Sequence, residues 1–374
     1  MAYFASQVKV DWSPDPEGLL RHAREAAECA RAQLEDGGIE DEPSLPLFRK
    51  EKRASSVTSL SLRLLPPEQA KLLLANSISP VPLHKTLVLL DCLNARKDER
   101  YHSHQRLALA KALVSSISNL HFGPEVGVGP AKVDSPVVAP WLAGVQTIAK
   151  DLRGLQALQA VSPRLHGADS RKIAQVVGAR SVDAVITSPP YPNEKDYTRT
   201  TRLESVLFGF VKSIEDLRAL KQGLVRSNTR GVYREDDDDR WVAENREIQR
   251  IAEAIESRRL ELGKTSGFER MYPRVTKLYF GGMARHLADL RTVLRPGAML
   301  AYVVGDQASY LRVMIRTGKL LAEIGEQLGY ETVAIDLFRT RLATATKEQL
   351  REEVVILRWP GKERSAQGRS TAFS

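Results

Sequence analysis

The chain has 374 residues, a formal net charge of +9 and a pI near 9.5, with 43% hydrophobic and 27% charged residues, which excludes a disordered polymer. No apolar run approaches the roughly 20 residues that cross a bilayer, and the opening MAYFASQVKVDW lacks the charged start and apolar stretch of a secretory signal. Cys29 and Cys92 are the only cysteines, too few for a disulfide framework or a cysteine-built zinc site, so a reducing cytoplasm is the simplest setting. The basic balance favours phosphate backbones and a salt-sensitive affinity, although many basic proteins bind no nucleic acid.

In chain order, residues 17–34 (EGLLRHAREAAECARAQL) are Ala-rich with helical apolar spacing and predict a helix. The Gly, Pro and acidic residues of 37–46, followed by the basic FRKEKR at 48–53, read as an exposed linker. Residues 66–118 carry several short helical patterns begun by prolines. The Gly/Pro/Val-rich stretch 122–140 predicts a long loop, and a helix follows at about 141–155. From about 157 the signals alternate between strand and helix, the mark of an α/β sheet. QAVSPRLHGAD (159–169) predicts a strand ending in a loop, RKIAQVVGA (171–179) a short helix, and VDAVITS (182–188) a buried strand. Residues 205–262 read as helical, broken at 226–239. A helix at 279–294, a turn and the strand AMLAYVVGD (298–306) come next. RVMIRTGKLLAEIGEQLG (312–329) predicts a helix with Gly329 as terminator. The last two strands, ETVAIDLFRTR and EEVVILRW, are joined by some ten residues, a span that permits an antiparallel pair.

Chemistry concentrates at Thr187-Ser188-Pro189-Pro190-Tyr191, directly after the apolar strand. An exocyclic base amine is a weak nucleophile because its lone pair is delocalised into the ring. A side-chain oxygen and a fixed carbonyl that accept its hydrogens favour a more pyramidal, reactive nitrogen, and Ser188 offers such an oxygen. Pro189 and Pro190 restrict the backbone and pre-aim its carbonyls. Tyr191 offers a flat face for an extruded base. The structural alternative is a Ser-Pro-Pro turn ending a strand beside a packed tyrosine.

These five residues resemble the catalytic motif of the amino-methyltransferase family of DNA modification enzymes, which methylate cytosine N4 or adenine N6; Ser in the first variable position is most typical of the cytosine branch. The resemblance runs over about 157–210 and 268–359. It implies an α/β fold with an incomplete Rossmann-like class I methyltransferase sheet, an antiparallel last strand, a helical N-terminal region and a helical insertion. It divides the chain into an N-terminal helical segment at 1–34, a helical region at 35–156 that is a candidate for target recognition, core stretches at 157–210 and 268–362, an insertion at 211–267 and a disordered tail at 363–374. The stretch 192–205 resembles the segment after the motif in one subgroup, where Asp196, Tyr197, Arg199 and Glu204 would approach the target base or brace the loop; otherwise they form a charged helix start. Asp169, in a stretch resembling the cofactor-adenine motif, would accept from the adenine amine of S-adenosylmethionine, or else cap the next helix. Thr187 and Ser188 would join it around the cofactor. Gly305 and Asp306 would stand at the carboxyl end of a central strand, where α/β sheets place ligands.

The implied partners are double-stranded DNA and the implied cofactor S-adenosylmethionine; no metal and no membrane are implied, since the seven histidines are scattered. The implied setting is restriction-modification or phage defence. A non-catalytic DNA-recognition subunit and an RNA base-amine methyltransferase are the alternatives; Arg226, Arg230, Arg234 and Arg240 could meet phosphates, but Asp236 to Asp239 beside them argue for a solvated loop. One family feature is missing. Relatives hold the methyl donor with a Gly-rich loop after the first strand and an acidic residue after the second. YFGGM (279–283) leads into an amphipathic helix with no strand before it, LVLLDCLNA (87–95) has no glycine loop, and Gly263-Lys264-Thr265 lacks the earlier glycine of a P-loop, having Arg258 there. Without those strands VDAVITS would be an unpaired apolar edge. Residues 2–16 resemble the segment just downstream of that acidic residue, so the chain reads as the later part of a split enzyme whose Gly-rich motif lies on a second polypeptide. A degenerate cofactor loop and a truncated gene are the rival readings.

Overall fold

Aspartate and proline open the helix that the Ala-rich stretch predicts. Asp15 accepts a hydrogen bond from the Gly18 amide at 2.6 Å and Pro16 takes the first helical position. The computed structural model describes residues 1–42, 61–123, 125–155, 158, 161–193, 195–342 and 349–361. The basic part of the predicted linker (48–53) and the tail at 363–374 lie outside them. Two units are present, one of Met1–Gly167 with Tyr197–Leu217, the other of Ala168–Asp196 with Arg218–Ser374. No helix is long and apolar enough to cross a membrane among the described residues.

The first unit is helical. It contains α1 (Ala2–Val10), α2 (Pro16–Asp36), α3 (Pro67–Ala70), α4 (Pro80–Ala95), α5 (His102–Ala112), α6 (Val138–Leu155), α7 (Tyr197–Thr200) and α8 (Arg202–Leu207). The small and branched residues of α2, from Leu19 and Ala23 to Ala30 and Leu34, bury against α4 and α6. Trp141 of α6 is fully buried and its indole N–H donates to the Gln105 carbonyl at 2.9 Å. Lys85 of α4 is also wholly buried; its Nζ donates to the Asp41 carbonyl at 3.0 Å and Asp134 Oδ2 at 2.8 Å. Asp41 in turn accepts from the Val137 and Val138 amides at the start of α6. Cys29 and Cys92 are free thiols whose sulfurs lie 2.7 Å apart across α2 and α4. The stretch expected as one long loop, 122–140, instead takes part in an antiparallel hairpin of β1 (Leu120–Phe122) and β2 (Val126–Val128), and its end starts α6. Three-residue strands are too short to leave a periodic signal.

The second unit is mixed α/β. Its four strands, β3 (Val182–Thr187), β4 (Leu294–Gly305), β5 (Glu331–Leu342) and β6 (Gln349–Arg358), stand in the order β3-β4-β6-β5. β3 runs parallel to β4, and β6 runs antiparallel to both β4 and β5. Among the described residues nothing pairs with the outer edge of β3. α11 (Gly267–Leu290) and α12 (Thr317–Gln327) bury Leu287, Leu320 and Ile324 with Leu300, Tyr302, Val304, Val355 and Leu357 of the sheet. Ser266 caps α11 with a reciprocal bond to Glu269. The residues of α9 (Ile214–Gln222) are divided between the two units, and α10 (Arg246–Glu261) packs on α11.

Three local readings change. Residues 161–169 hold no strand; the first residues of that predicted strand lie outside the described ones. The helix predicted at 171–179 is a 3-10 helix, Ser170–Gln175. The helix predicted from 312 begins at Thr317, because Gln307 and Ile315 first form an antiparallel bridge; it ends before Gly329, whose φ of +91° makes it the terminator. The glycines of YFGGM serve packing. A Cβ on Gly281 would stand 1.9 Å from the Asp238 carbonyl oxygen, so only glycine lets that backbone lie against α11.

Candidate active-site loop

β3 delivers its last residues to the carboxyl end of the sheet. Thr187 is in register with Tyr302 of β4, after which Pro189 and Pro190 end the ladder because neither has an N–H to donate. Ser188 is exposed, and its hydroxyl donates to the Val303 carbonyl of β4 at 3.2 Å. The hydroxyl oxygen also carries lone pairs that can accept. Tyr191 is half-buried against the end of β4. A Cβ on Gly305 would come within 3.0 Å of the Tyr191 ring and 3.3 Å of Glu352, so Gly305 makes room for the tyrosine. Burial and the nearby Glu352 carboxylate hold the Tyr191 phenol above its ordinary pKa, with a hydrogen bond to Ser188 pulling the other way.

The loop is then stitched down within the same unit. The Asn193 amide donates to the Tyr191 carbonyl at 2.7 Å, and Asn193 Oδ1 accepts from the Lys195 amide at 3.2 Å. Asn228 Nδ2 donates to the Lys195 carbonyl at 3.1 Å. Asp196, buried, pairs with Lys221 of α9 at 3.0 Å, and Lys221 also donates to the Arg230 carbonyl. Asp196 therefore braces the loop. Asp306 is 1% exposed; one oxygen takes a bond from Arg316 at 2.6 Å, while Oδ1 has no hydrogen-bond partner among the described residues.

Asp169 caps the 3-10 helix, accepting from the Arg171 amide at 2.9 Å, and is also clasped by the Arg171 guanidinium at 3.0 and 2.7 Å. Arg171 extends this pair to the buried Asp238, which Arg285 also contacts at 3.1 Å. Both Asp169 oxygens thus have donors already. The run Asp236 to Asp239 is only partly the solvated loop expected of it. Asp236 holds the buried Arg226 at 2.7 and 2.8 Å, and Asp238, 3% exposed, sits between Arg171 and Arg285, so each carboxylate is buried with an arginine that it neutralises. Arg240 stays exposed, and Arg230 lies over the Phe268 ring.

The chain leaves the second unit after Asp196, so Tyr197, Arg199 and Glu204 belong to the first. Tyr197 is half-exposed at the start of α7 and Arg199 partly buried. Glu204 lies in α8 at 6% exposure, where burial pushes its carboxyl up to about 7. Thr187, Ser188, Pro189, Pro190, Tyr191, Gly305 and Asp306 thus gather at the carboxyl ends of two neighbouring strands, and Asp196 sits on the loop that follows. Sequence reading missed Glu352, Asn193 and Lys221. Glu352 is buried in β6, and Arg339 and Arg341 of β5 supply the cation that it needs there at 2.5 and 3.4 Å.

Comparison with known proteins finds similarity to DNA methyltransferases. The chain is 28% identical over 189 residues to "Type II methyltransferase M.AvaI" from Nostoc sp. (strain PCC 7120 / SAG 25.82 / UTEX 2576) and from Anabaena variabilis. It is 26% identical over 196 residues to "Type II methyltransferase M.BsoBI" from Geobacillus stearothermophilus. These matches span 48–49% of the chain and 38% of each relative, so the chain corresponds to well under half the length of the curated relatives it matches. No family model matches. A solved putative DNA modification methylase from Thermus thermophilus aligns over 53% of each chain at 15% identity, with a TM-score of 0.25, too low to establish a common fold.

Proposed function

We propose that the chain is a subunit of a DNA methyltransferase that moves a methyl group from S-adenosylmethionine to an exocyclic base amine, cytosine N4 in preference to adenine N6, in restriction-modification or phage defence. The observation that carries this is Ser188: exposed at the carboxyl end of β3, its proton turned to Val303, beside a tyrosine seated on Gly305 and behind two prolines. Similarity to type II methyltransferases over the two relatives' matched regions supports it.

In this reading Ser188 Oγ and a loop carbonyl accept hydrogen bonds from the amine and hold its lone pair out of conjugation. Tyr191 stacks on the flipped base, and the prolines keep the acceptors aimed without reorganisation. Asp196, held by Lys221, keeps the loop's far end in place. S-adenosylmethionine, when bound, supplies an electrophilic methyl group. The residues present do not fit it fully. The expected adenine acceptor, Asp169, is engaged by Arg171, and among the described residues β3 has no neighbour on the side where a glycine loop would approach. That mismatch supports a second polypeptide bearing the donor loop.

The test is nucleoside mass spectrometry on DNA treated with the chain and its partner. Ser188→Ala lowers N4-methylcytosine formation by roughly a hundredfold while DNA binding is retained. Unchanged methylation by this variant places the chemistry elsewhere, and N6-methyladenine as the product overturns the choice of base.

A further inference from the structure

The two cysteines of the chain stand 63 positions apart, one on α2 and one on α4, yet their sulfurs lie 2.7 Å from each other. Helical spacing builds their surroundings. Gln33 follows Cys29 by one turn on α2, and Arg96 follows Cys92 by one turn at the end of α4, so each sulfur shares a helix face with a hydrogen-bond donor. Gln33 Nε2 donates to Cys29 Sγ at 3.5 Å and to Cys92 Sγ at 3.4 Å. Its Oε1 accepts from Arg63 at 3.3 Å, and Arg63 also pairs with Asp91. The two thiols differ. Cys92 is 1% exposed, whereas Cys29 is half-buried. Burial opposes ionisation of Cys29, but hydrogen bonds from Cys92 and Arg96 outweigh it and hold that thiol below its ordinary pKa. Burial and the neighbouring Cys29 push the Cys92 thiol up to about 12. Packing alone asks for none of this, because a buried cysteine in a helical core acts as a small hydrophobe and needs no amide or guanidinium at its sulfur.

We infer that Cys29 and Cys92 form a redox-active dithiol, a modification site at which a low-molecular-weight disulfide oxidises the pair to an intrachain bond between α2 and α4. The site is independent of the proposed methyl transfer, since both cysteines belong to the helical unit and Ser188 to the other.

Exposure and the adjoining donors assign the order of events. Cys29 loses its proton to solvent, and its thiolate attacks one sulfur of the oxidant R–S–S–R. A Cys29–S–S–R bond forms, the oxidant's S–S bond breaks, and the departing thiolate takes up a proton. Cys92, sealed from solvent, is the resolving thiol. It gives its proton to solvent and attacks the Cys29 sulfur, expelling the second R–S group, which is protonated in turn. Two protein thiols are thereby oxidised and one disulfide is reduced to two thiols, with no other reactant. The sulfurs are already in contact, so the second step asks for little movement of either helix and outruns dissociation of the mixed disulfide. In a reducing setting the dithiol is the resting form and the bond is transient. Joining residues 63 positions apart restricts the unfolded chain, so the oxidised helical unit is the more stable one.

The test exposes the folded full chain, reduced and then freed of reductant, to oxidised glutathione, and follows intact mass and peptide maps made without reductant. The expected product lacks two hydrogens and yields a peptide pair joined through Cys29 and Cys92, with the glutathione adduct staying below about a tenth of the product throughout. Its melting temperature rises by roughly 5–10 °C, and dithiothreitol reverses the change. Cys92→Ser removes the resolving thiol, so glutathione accumulates on Cys29; Cys29→Ser takes up glutathione at least about tenfold more slowly. Three results overturn the inference: both thiols staying free in the folded chain although they react once it is denatured, covalent dimers in place of the intrachain bond, or equal uptake of glutathione by the two variants. The joined peptides are sought in the unmutated chain, so the first two results hold even if a serine variant fails to fold.

Discussion

The helical unit and the sheet unit bury their apolar residues in different ways. In the first, α2, α4, α5 and α6 enclose Leu19, Leu89, Leu109 and Trp141 completely, and even a lysine, Lys85, is sealed inside with its partners. In the second, α11 and α12 enclose one side of the sheet as tightly, while Ile186 on the other side stands in water. Equal quality of packing on the closed side makes the open side informative. The exposed Ile186 stands two residues before Ser188 on β3.

That contrast can be broken or sharpened by measurement. The largest effect is expected from Trp141→Ala, which removes a fully buried indole and costs about 3–5 kcal/mol. Denaturant unfolding followed by hydrogen exchange should show the loss in α2, α5 and α6; an equal loss of protection in β4 and β6 would mean that the two units unfold as one.

Next comes Glu204. Burial raises its carboxyl from 4.5 to about 7, so the stability it contributes as a neutral acid is complete below pH 4.5 and is lost as pH rises through 7, by at most about 3 kcal/mol. Glu204→Gln should flatten the fall of the melting temperature between about pH 5 and 8; an unaltered slope assigns it to another group. The sheet unit has the opposite dependence. His286 is buried neutral, Nδ1 donating to the Ser170 carbonyl at 2.8 Å and Nε2 accepting from Tyr302 at 2.7 Å, and burial lowers its pKa below 6.5. Its contribution is present above that value and lost as pH falls through the folded pKa, so exchange in β4 should accelerate in acid while that of α8 slows.

Gly281→Ala is expected to cost about 1–3 kcal/mol, because the added carbon meets a backbone carbonyl that cannot rotate away. The loss should localise to α11 and the 3-10 turn Asp238–Val242; a neutral result would show that this turn shifts freely. The smallest effect is the most telling. Ile186→Glu on the chain alone should leave stability within about 0.5 kcal/mol, as for an exposed side chain. A large loss would mean that the face is covered in solution by the chain itself.

Much of this was legible in the sequence for physical reasons. The Ala-rich period of α2, the apolar run of β3 halted by two prolines, and the short join between the last two strands each express a local rule, and the structure has α2, β3 and the antiparallel β5–β6 pair in those places. The dedicated ligand role considered for Asp169 competes with a local one that the structure displays, since a carboxylate before a helix start is satisfied by the nearest amide and arginine. The solvated run at 236–239 was misread because charge along a chain does not say which carboxylate meets Arg226 or Arg171 after folding. Glu352 and Lys221 are separated from their partners by strands and loops, and no spacing rule reaches that far.

By itself the sequence determined the features set by residues close along the chain: the Ala-rich helix, the strand that runs into Ser188, the backbone restriction by Pro189 and Pro190, and Gly329 as a helix terminator. Only the tertiary structure decided that Ser188 turns its proton to Val303, that Tyr191 rests on Gly305, and that Glu204 belongs to a different unit from the loop it follows. It also decided that Ile186 lines a bare face. Exposure and hydrogen-bond partnership are set by which distant segments meet, and that is settled by burial summed over a whole unit rather than by any local pattern.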